Sequence, residues 1–181
     1  MSVSLGDMIL PHAQRDDLAA EMVGFYVRLD RTIAAHGPTC QNRGLCCNFG
    51  RYGHKLFVTT VELAYFVRGH HHGCRVPTTE DACPFQVGGL CTAREHRPMG
   101  CRIFFCDPQA AAWQNEEYEA QLRTLKGISA AYGVDYRYTE WMGALRETGL
   151  AVTESSPGPP SEAVKPTMGI DPIPLPVVQS V

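Results

Sequence analysis

No run of this sequence approaches the ~18 consecutive apolar residues of a membrane-spanning helix. Its N-terminus, MSVSLGDMILPHAQRDD, has no charged start followed by a long apolar stretch. Neither membrane insertion nor export is therefore expected, and a cytoplasmic location is. Positive charge is scarce as well. Sixteen Lys and Arg against nineteen Asp and Glu leave a formal charge of −3. No basic stripe tracks along the chain, so nucleic-acid binding is not expected. Several catalytic signatures are missing: CxxxCxxC, GxGxxG, the P-loop and HExxH do not occur. Their absence removes the sequence grounds for radical, dinucleotide, nucleotide and metalloprotease chemistry. Nor is there a CxxC pair, the spacing common to zinc fingers and thioredoxin-like redox sites.

Cysteine, by contrast, is plentiful. Eight thiols occur in 181 residues, fewer than the ~8–10% of short secreted disulfide scaffolds. In a reducing cytosol such thiols point to metal before disulfides. Two blocks hold seven of them: CQNRGLCC, with Cys40, Cys46 and Cys47, and CPFQVGGLCTAREHRPMGCRIFFC, with Cys83, Cys91, Cys101 and Cys106. Cys74 lies between the blocks.

The remaining chain supplies a helical frame. Residues 16–36 read as an amphipathic helix, with Leu18, Met22, Phe25, Leu29 and Ile33 on one face,. Asp16 and Asp17 suit its start, and Gly37-Pro38 ends it,. KLFVT (55–59) reads as a short strand, and Thr59 with Glu62 forms a capping box for a helix through VELAYFVRG,. GHHHGC (69–74) reads as a polar loop, because consecutive histidines cannot all face one site. Asp107-Pro108 opens a long helix over 108–132, with Tyr118, Leu122, Leu125, Ser129 and Tyr132 near one face,. A last helix spans about 139–148. Beyond residue 152 lie seven of the thirteen prolines, which implies an extended or disordered tail. The expected organisation is an N-terminal arm (1–15), one cysteine-cluster domain (16–150) and a Pro-rich tail (151–181). The fold class expected is mainly α with irregular cysteine-rich loops, a small helical domain organised around a metal or iron–sulfur site.

Thiolates are soft ligands, and sulfur-rich sets select zinc or iron–sulfur centres. Either takes four thiolates, so seven or eight exceed one simple site. Gly88, Gly89 and Gly100 permit tight turns that bring separated sulfurs together. Phe85, Ile103, Phe104 and Phe105 can keep water away. A four-thiolate centre carries net negative charge, which Arg97 and Arg102 are placed to offset from behind the ligands; the plainer reading of each arginine is a surface ion pair.

EHRPMGCR (95–102), preceded by CPF (83–85) and GLC (89–91), resembles the YkgJ-like cysteine-cluster family. The hallmark of that family is CxxCxxCC followed by CPF, GxC and RPxxCR, and it is described as zinc- or iron-chelating. The resemblance runs over roughly residues 38–106. In the second block Cys83, Pro84, Phe85, Gly89, Cys91, Glu95, His96, Arg97, Pro98, Cys101 and Arg102 all fall in register. In the first, Cys40, Cys46 and Cys47 take the first, third and fourth cysteine positions, and Arg43 stands where the second belongs. Arg94 replaces an aromatic residue. The resemblance implies a [4Fe–4S] cluster or zinc held by Cys40, Cys46, Cys47, Cys83, Cys91, Cys101 and Cys106; either Cys74 or a histidine substitutes for the missing thiol, or that position is not an essential ligand. Longer, irregular gaps favour the cluster.

Two other readings stand beside it. Flagellin lysine N-methylase carries a similar cysteine region, so a metal- or cluster-dependent enzyme acting on a protein partner is one alternative, with His54 or His96 as candidate bases. A thiol-redox protein is the other, with the adjacent Cys46-Cys47 as its reactive pair.

Overall fold

A computed structural model describes residues 4–39, 44–70, 77, 79 and 81–148. Cys40, Arg43, His71, His72, Cys74 and the tail over 151–181 lie outside the described residues. Seven α-helices carry the fold among those described: α1 (Leu5–Ala13), α2 (Asp16–His36), α3 (Phe49–Tyr52), α4 (Thr60–Gly69), α5 (Gly100–Ile103), α6 (Ala111–Ala131) and α7 (Trp141–Glu147). Four short strands complete it: β1 (Phe57–Thr59), β2 (Gln86–Val87), β3 (Leu90–Cys91) and β4 (Tyr138–Glu140). The mainly α expectation is met. No described helix is long and apolar enough to cross a membrane.

At the centre stands α4, which packs against α1, α2, α6 and β1. Its residues Val61, Leu63, Ala64, Phe66 and Val67 are all buried, so it is apolar on nearly every side, as a core helix must be,. The capping box read from Thr59 and Glu62 is present. Thr59 N and Oγ1 both donate to Glu62 Oε2, at 2.8 and 2.9 Å.

Along α2 the expected face is the buried one: Leu18, Met22, Phe25 and Leu29 are in the core, and Ile33 packs against its edge. Gly37 ends the helix in the left-handed conformation, φ 71°,. The chain before residue 16 is more than an arm. In α1, Leu5 and Ile9 are fully buried and belong to the same core. Pro11 sits inside that helix, which weakens any expectation from propensity alone; packing against α4 supplies what propensity does not.

After the cysteine segment, Asp107 caps the chain as expected, accepting from Gln109 N at 3.0 Å. The first turn, Pro108–Ala110, is 3-10, and α6 begins at Ala111. The last helix also starts later than expected, at Trp141, because residues 138–140 pair as a strand. In that antiparallel pair Phe57 faces Glu140 and Thr59 faces Tyr138. The Trp141 N–H then donates to Leu56 O at 2.8 Å, which sets the indole at the start of α7 against the core.

Candidate functional site

The two cysteine blocks meet. Cys46 and Cys47 lie on a 3-10 turn, Leu45–Cys47. Backbone bonds dock that turn on the second block: Cys83 N donates to Cys47 O at 2.8 Å, and Gly50 N to Asp81 O at 2.9 Å. The Gln86 side chain adds a third link, donating to Gly44 O at 2.6 Å. Gln86 is on β2, which pairs with β3 so that it faces Cys91. Each strand is only two residues long. The hairpin holds because Thr92 N and Oγ1 both donate to Phe85 O, at 2.8 and 2.9 Å.

Gly44 is the tightest point of this junction. It has φ 65°, and a Cβ there would lie 2.5 Å from Gly89 O and 2.7 Å from Gln86 Nε2. Gly44→Ala is expected to cost about 2 kcal/mol, combining left-handed strain with the clash. Gly37→Ala is the control, since its Cβ would meet nothing within 4 Å; strain alone is worth about 1 kcal/mol there. Urea midpoints of the two variants check the difference, and equal losses would refute the close approach.

Cys46, Cys47, Cys83, Cys91, Cys101 and Cys106 line one cavity of about 140 Å³. None of the six is joined in a disulfide to another described residue. That space is many times the ~10–15 Å³ one water needs. Apolar walls come from Phe49, Phe66, Phe85, Phe104, Phe105 and Trp141. Phe66 stands edge-on to both Phe85 and Trp141, with ring centroids 4.9 and 4.8 Å apart. The position of Phe105 is set from behind, its N–H donating to the buried Gln114 Oε1 at 2.6 Å. Among the described residues, no three His, Cys, Asp or Glu groups converge closely enough to hold a single metal ion. Here the thiols are arranged around a space rather than a point.

The thiols influence one another. A hydrogen bond from Cys47 is the main cause that lowers Cys46 to about 6, and Arg97 assists. The same bond, together with burial, pushes Cys47 up. Burial raises Cys101 well above the ordinary thiol range, and the charges of Cys83, Cys46 and Cys91 add to it. Cys83 is raised by burial too, against the backbone N–H of Phe85, which favours its thiolate, and the nearby Trp141 indole, whose N–H meets no acceptor in hydrogen-bond geometry among the described residues. Without a neutralising partner, most of these groups resist ionisation.

Two N–H donors at this cavity are buried with no hydrogen-bond acceptor among the described residues: Arg97 Nε and Trp141 Nε1. An unpaired buried donor costs about 1–3 kcal/mol, and such a group calls for an acceptor. Arg102, which the sequence reading paired with Arg97 in one role, is committed elsewhere. Its guanidinium donates to Asp30, at 2.8 and 3.1 Å, and to Arg97 O at 3.1 Å. It also bonds Glu95 O and lies 4.1 Å above the Tyr26 ring. So Arg97 keeps an uncommitted donor at the cavity, while Arg102 braces the loop that carries Pro98 and Cys101.

The candidate histidines fare differently. His96 packs between Tyr65 and His70, at 5.0 and 5.5 Å, and is not part of the cavity lining. His54 bonds Cys46 O through Nε2 at 3.1 Å and lines a second, smaller chamber. Sequence reasoning missed Trp141, Gln86 and Gly44. Nothing in their local sequence marks them, since each acquires its place through a long-range contact.

Taken together, the fold is a mainly helical domain whose irregular segments enclose a thiol-lined cavity with two uncommitted N–H donors. Comparison with protein-family models, with curated proteins and with solved structures returns no match for this chain.

Proposed function

We propose that this domain holds an iron–sulfur cluster in the cysteine-lined cavity, with ligands drawn from Cys46, Cys47, Cys83, Cys91, Cys101 and Cys106, and Cys40 from the same first block. The observation that carries the reading is the pairing of six cysteine thiols with two buried, acceptor-less N–H donors around one cavity. The donor set suits the group. A tetrahedral zinc at ~2.3 Å from each sulfur would draw four sulfurs to about 4 Å of one another, whereas the six described thiols line a cavity of about 140 Å³. A cluster is larger, and takes one thiolate per iron. When bound, it would supply one-electron transfer.

The chain's own residues then have defined tasks. Arg97 and Trp141 would donate N–H to cluster or thiolate sulfur, which would stabilise its negative charge and tune the potential. Phe66, Phe85, Phe104 and Phe105 exclude water. Arg102 and Glu62 hold the turn over residues 95–102 in place, since Met99 N donates to Glu62 Oε1 at 2.7 Å. The resemblance of the second block to a zinc- or iron-chelating family supports the same reading.

Purification without oxygen, with metal and sulfide analysis and a visible spectrum, tests it. Iron and sulfide in equal amounts, with a broad absorption that bleaches on reduction, are expected. Cys83→Ala together with Cys101→Ala should abolish that absorption. Arg97→Met should leave the iron content in place and shift the reduction potential downward. A colourless protein with stoichiometric zinc would refute the cluster, and a protein without either metal would refute the centre.

A further inference from the structure

A second chamber, of about 80 Å³, adjoins the cysteine cavity and shares Cys46, Cys101 and Cys106 with it. Its other walls are of a different kind. Leu56 and Phe57 come from the entry to β1, Tyr118 from α6 and Tyr138 from β4, while Phe104, at the end of α5, lines both spaces. Phe57 and Tyr138 stack at 5.2 Å, and Phe104 lies 5.3 Å from Tyr118. Four separate elements thus converge on an apolar space that no side chain of the described residues fills. We infer that this chamber binds a small aliphatic carboxylate.

Size sets the apolar part of the ligand. A dry cavity of ~150 Å³ is what accommodates benzene, and this chamber has about half that volume. A short aliphatic chain fits, and an aromatic ring does not. Apolar walls of this kind, with few polar groups, are the usual make-up of small-molecule sites.

Charge sets the other end. Lys55 is exposed and is the one Lys or Arg that lines the chamber among the described residues. It has no ion-pair partner among the described residues. Two tyrosine hydroxyls, Tyr118 and Tyr138, share one hydrogen bond at 2.7 Å. Two hydroxyl hydrogens serve one such bond, so one is left over to donate. His54 Nε2 is tied to Cys46 O at 3.1 Å, and Lys55 at the rim supplies the positive charge. A cation at the rim, a spare hydroxyl donor and an apolar interior together match a carboxylate on a short alkyl chain. The thiol wall shared with the larger cavity places that chain directly against Cys46, Cys101 and Cys106. The inference holds whatever the thiols bind, so its failure and that of the cluster reading are separable.

The test is a titration of the full chain with sodium butyrate, butan-1-ol and sodium benzoate, following the ring resonances of Tyr118 and Tyr138 by NMR. Saturable shifts are expected with butyrate, weaker ones with butanol, and none with benzoate. Lys55→Met, at an exposed position that the fold does not need, should weaken butyrate about three- to five-fold and leave butanol unchanged. Absence of a saturable butyrate shift would overturn the assignment. So would equal losses for butyrate and butanol in Lys55→Met, or benzoate binding as well as butyrate does.

Discussion

Replacement of Arg102 by alanine is expected to lower folding stability by about 4 kcal/mol, near the top of the range for single substitutions. The cause is the number of groups that depend on this one side chain. Its head binds the Asp30 carboxylate on α2, two carbonyls of the cysteine loop, at Glu95 and Arg97, and the face of Tyr26. Arg102 is 7% exposed, so its loss leaves a cavity and orphaned carbonyls as well as an unpaired carboxylate. Asp30 is half exposed; solvent screens that pair, and its share is the smaller one. Carbonyl bonding and ring stacking in the buried part carry the rest. Arg102→Lys keeps the charge and loses the planar fork, and about 2 kcal/mol should be lost there. Urea denaturation of the two variants measures both figures. A loss under about 1 kcal/mol for Arg102→Ala would show that the loop is held by other means.

Glu62→Gln is expected to cost about 3 kcal/mol, although the two side chains have nearly the same shape. Both carboxylate oxygens of Glu62 face donors. Oε2 accepts from Thr59 N and Oγ1, and Oε1 accepts from Met99 N. An amide in the same place must turn its NH2 toward one of these N–H groups. The side chain is 2% exposed, so no water relieves the conflict. Burial raises the Glu62 pKa, against the hydrogen bonds, which lower it. The sign of the pH effect follows from that direction. Between the ordinary carboxyl range and its raised value, the folded state binds more protons than the unfolded one. The stability contributed by this group is therefore fully present below the unfolded pKa, and falls as pH rises through the folded one. The wild-type advantage over Glu62→Gln should therefore narrow as pH rises from the ordinary carboxyl range through the raised value. A gap that widens over that range would reverse the assignment of burial as the dominant influence.

These two residues differ in how far the sequence announces them. Thr59 and Glu62 carry a local signature, three residues apart before an apolar run, and the box forms as read. That Glu62 also reaches Met99, 37 residues on, has no local sign. Arg102 shows the same limit from the other side. Its neighbourhood suggests charge balance for a metal centre, and the structure instead spends it on Asp30, 72 residues away in the chain. Strand β4 was illegible for a related reason: three residues have too little propensity to declare a strand, and only the pairing with β1 makes them one.

By itself the sequence determined the helical frame, because α2 and α6 repeat apolar residues at the helical period and carry their stop and start signals in adjacent residues. It also determined the chemistry available, since thiols in two blocks with glycine and proline between them allow few uses. The tertiary structure alone decided which of those groups meet. It brought Cys46 and Cys47 against Cys83 through backbone bonds, set Trp141 and Arg97 at the cavity as donors without acceptors, and opened the Lys55 chamber beside it. Periodicity and capping act over a few residues and are written in them. The meeting of side chains far apart in the chain depends on how α4 packs its neighbours, and no short stretch of sequence encodes that.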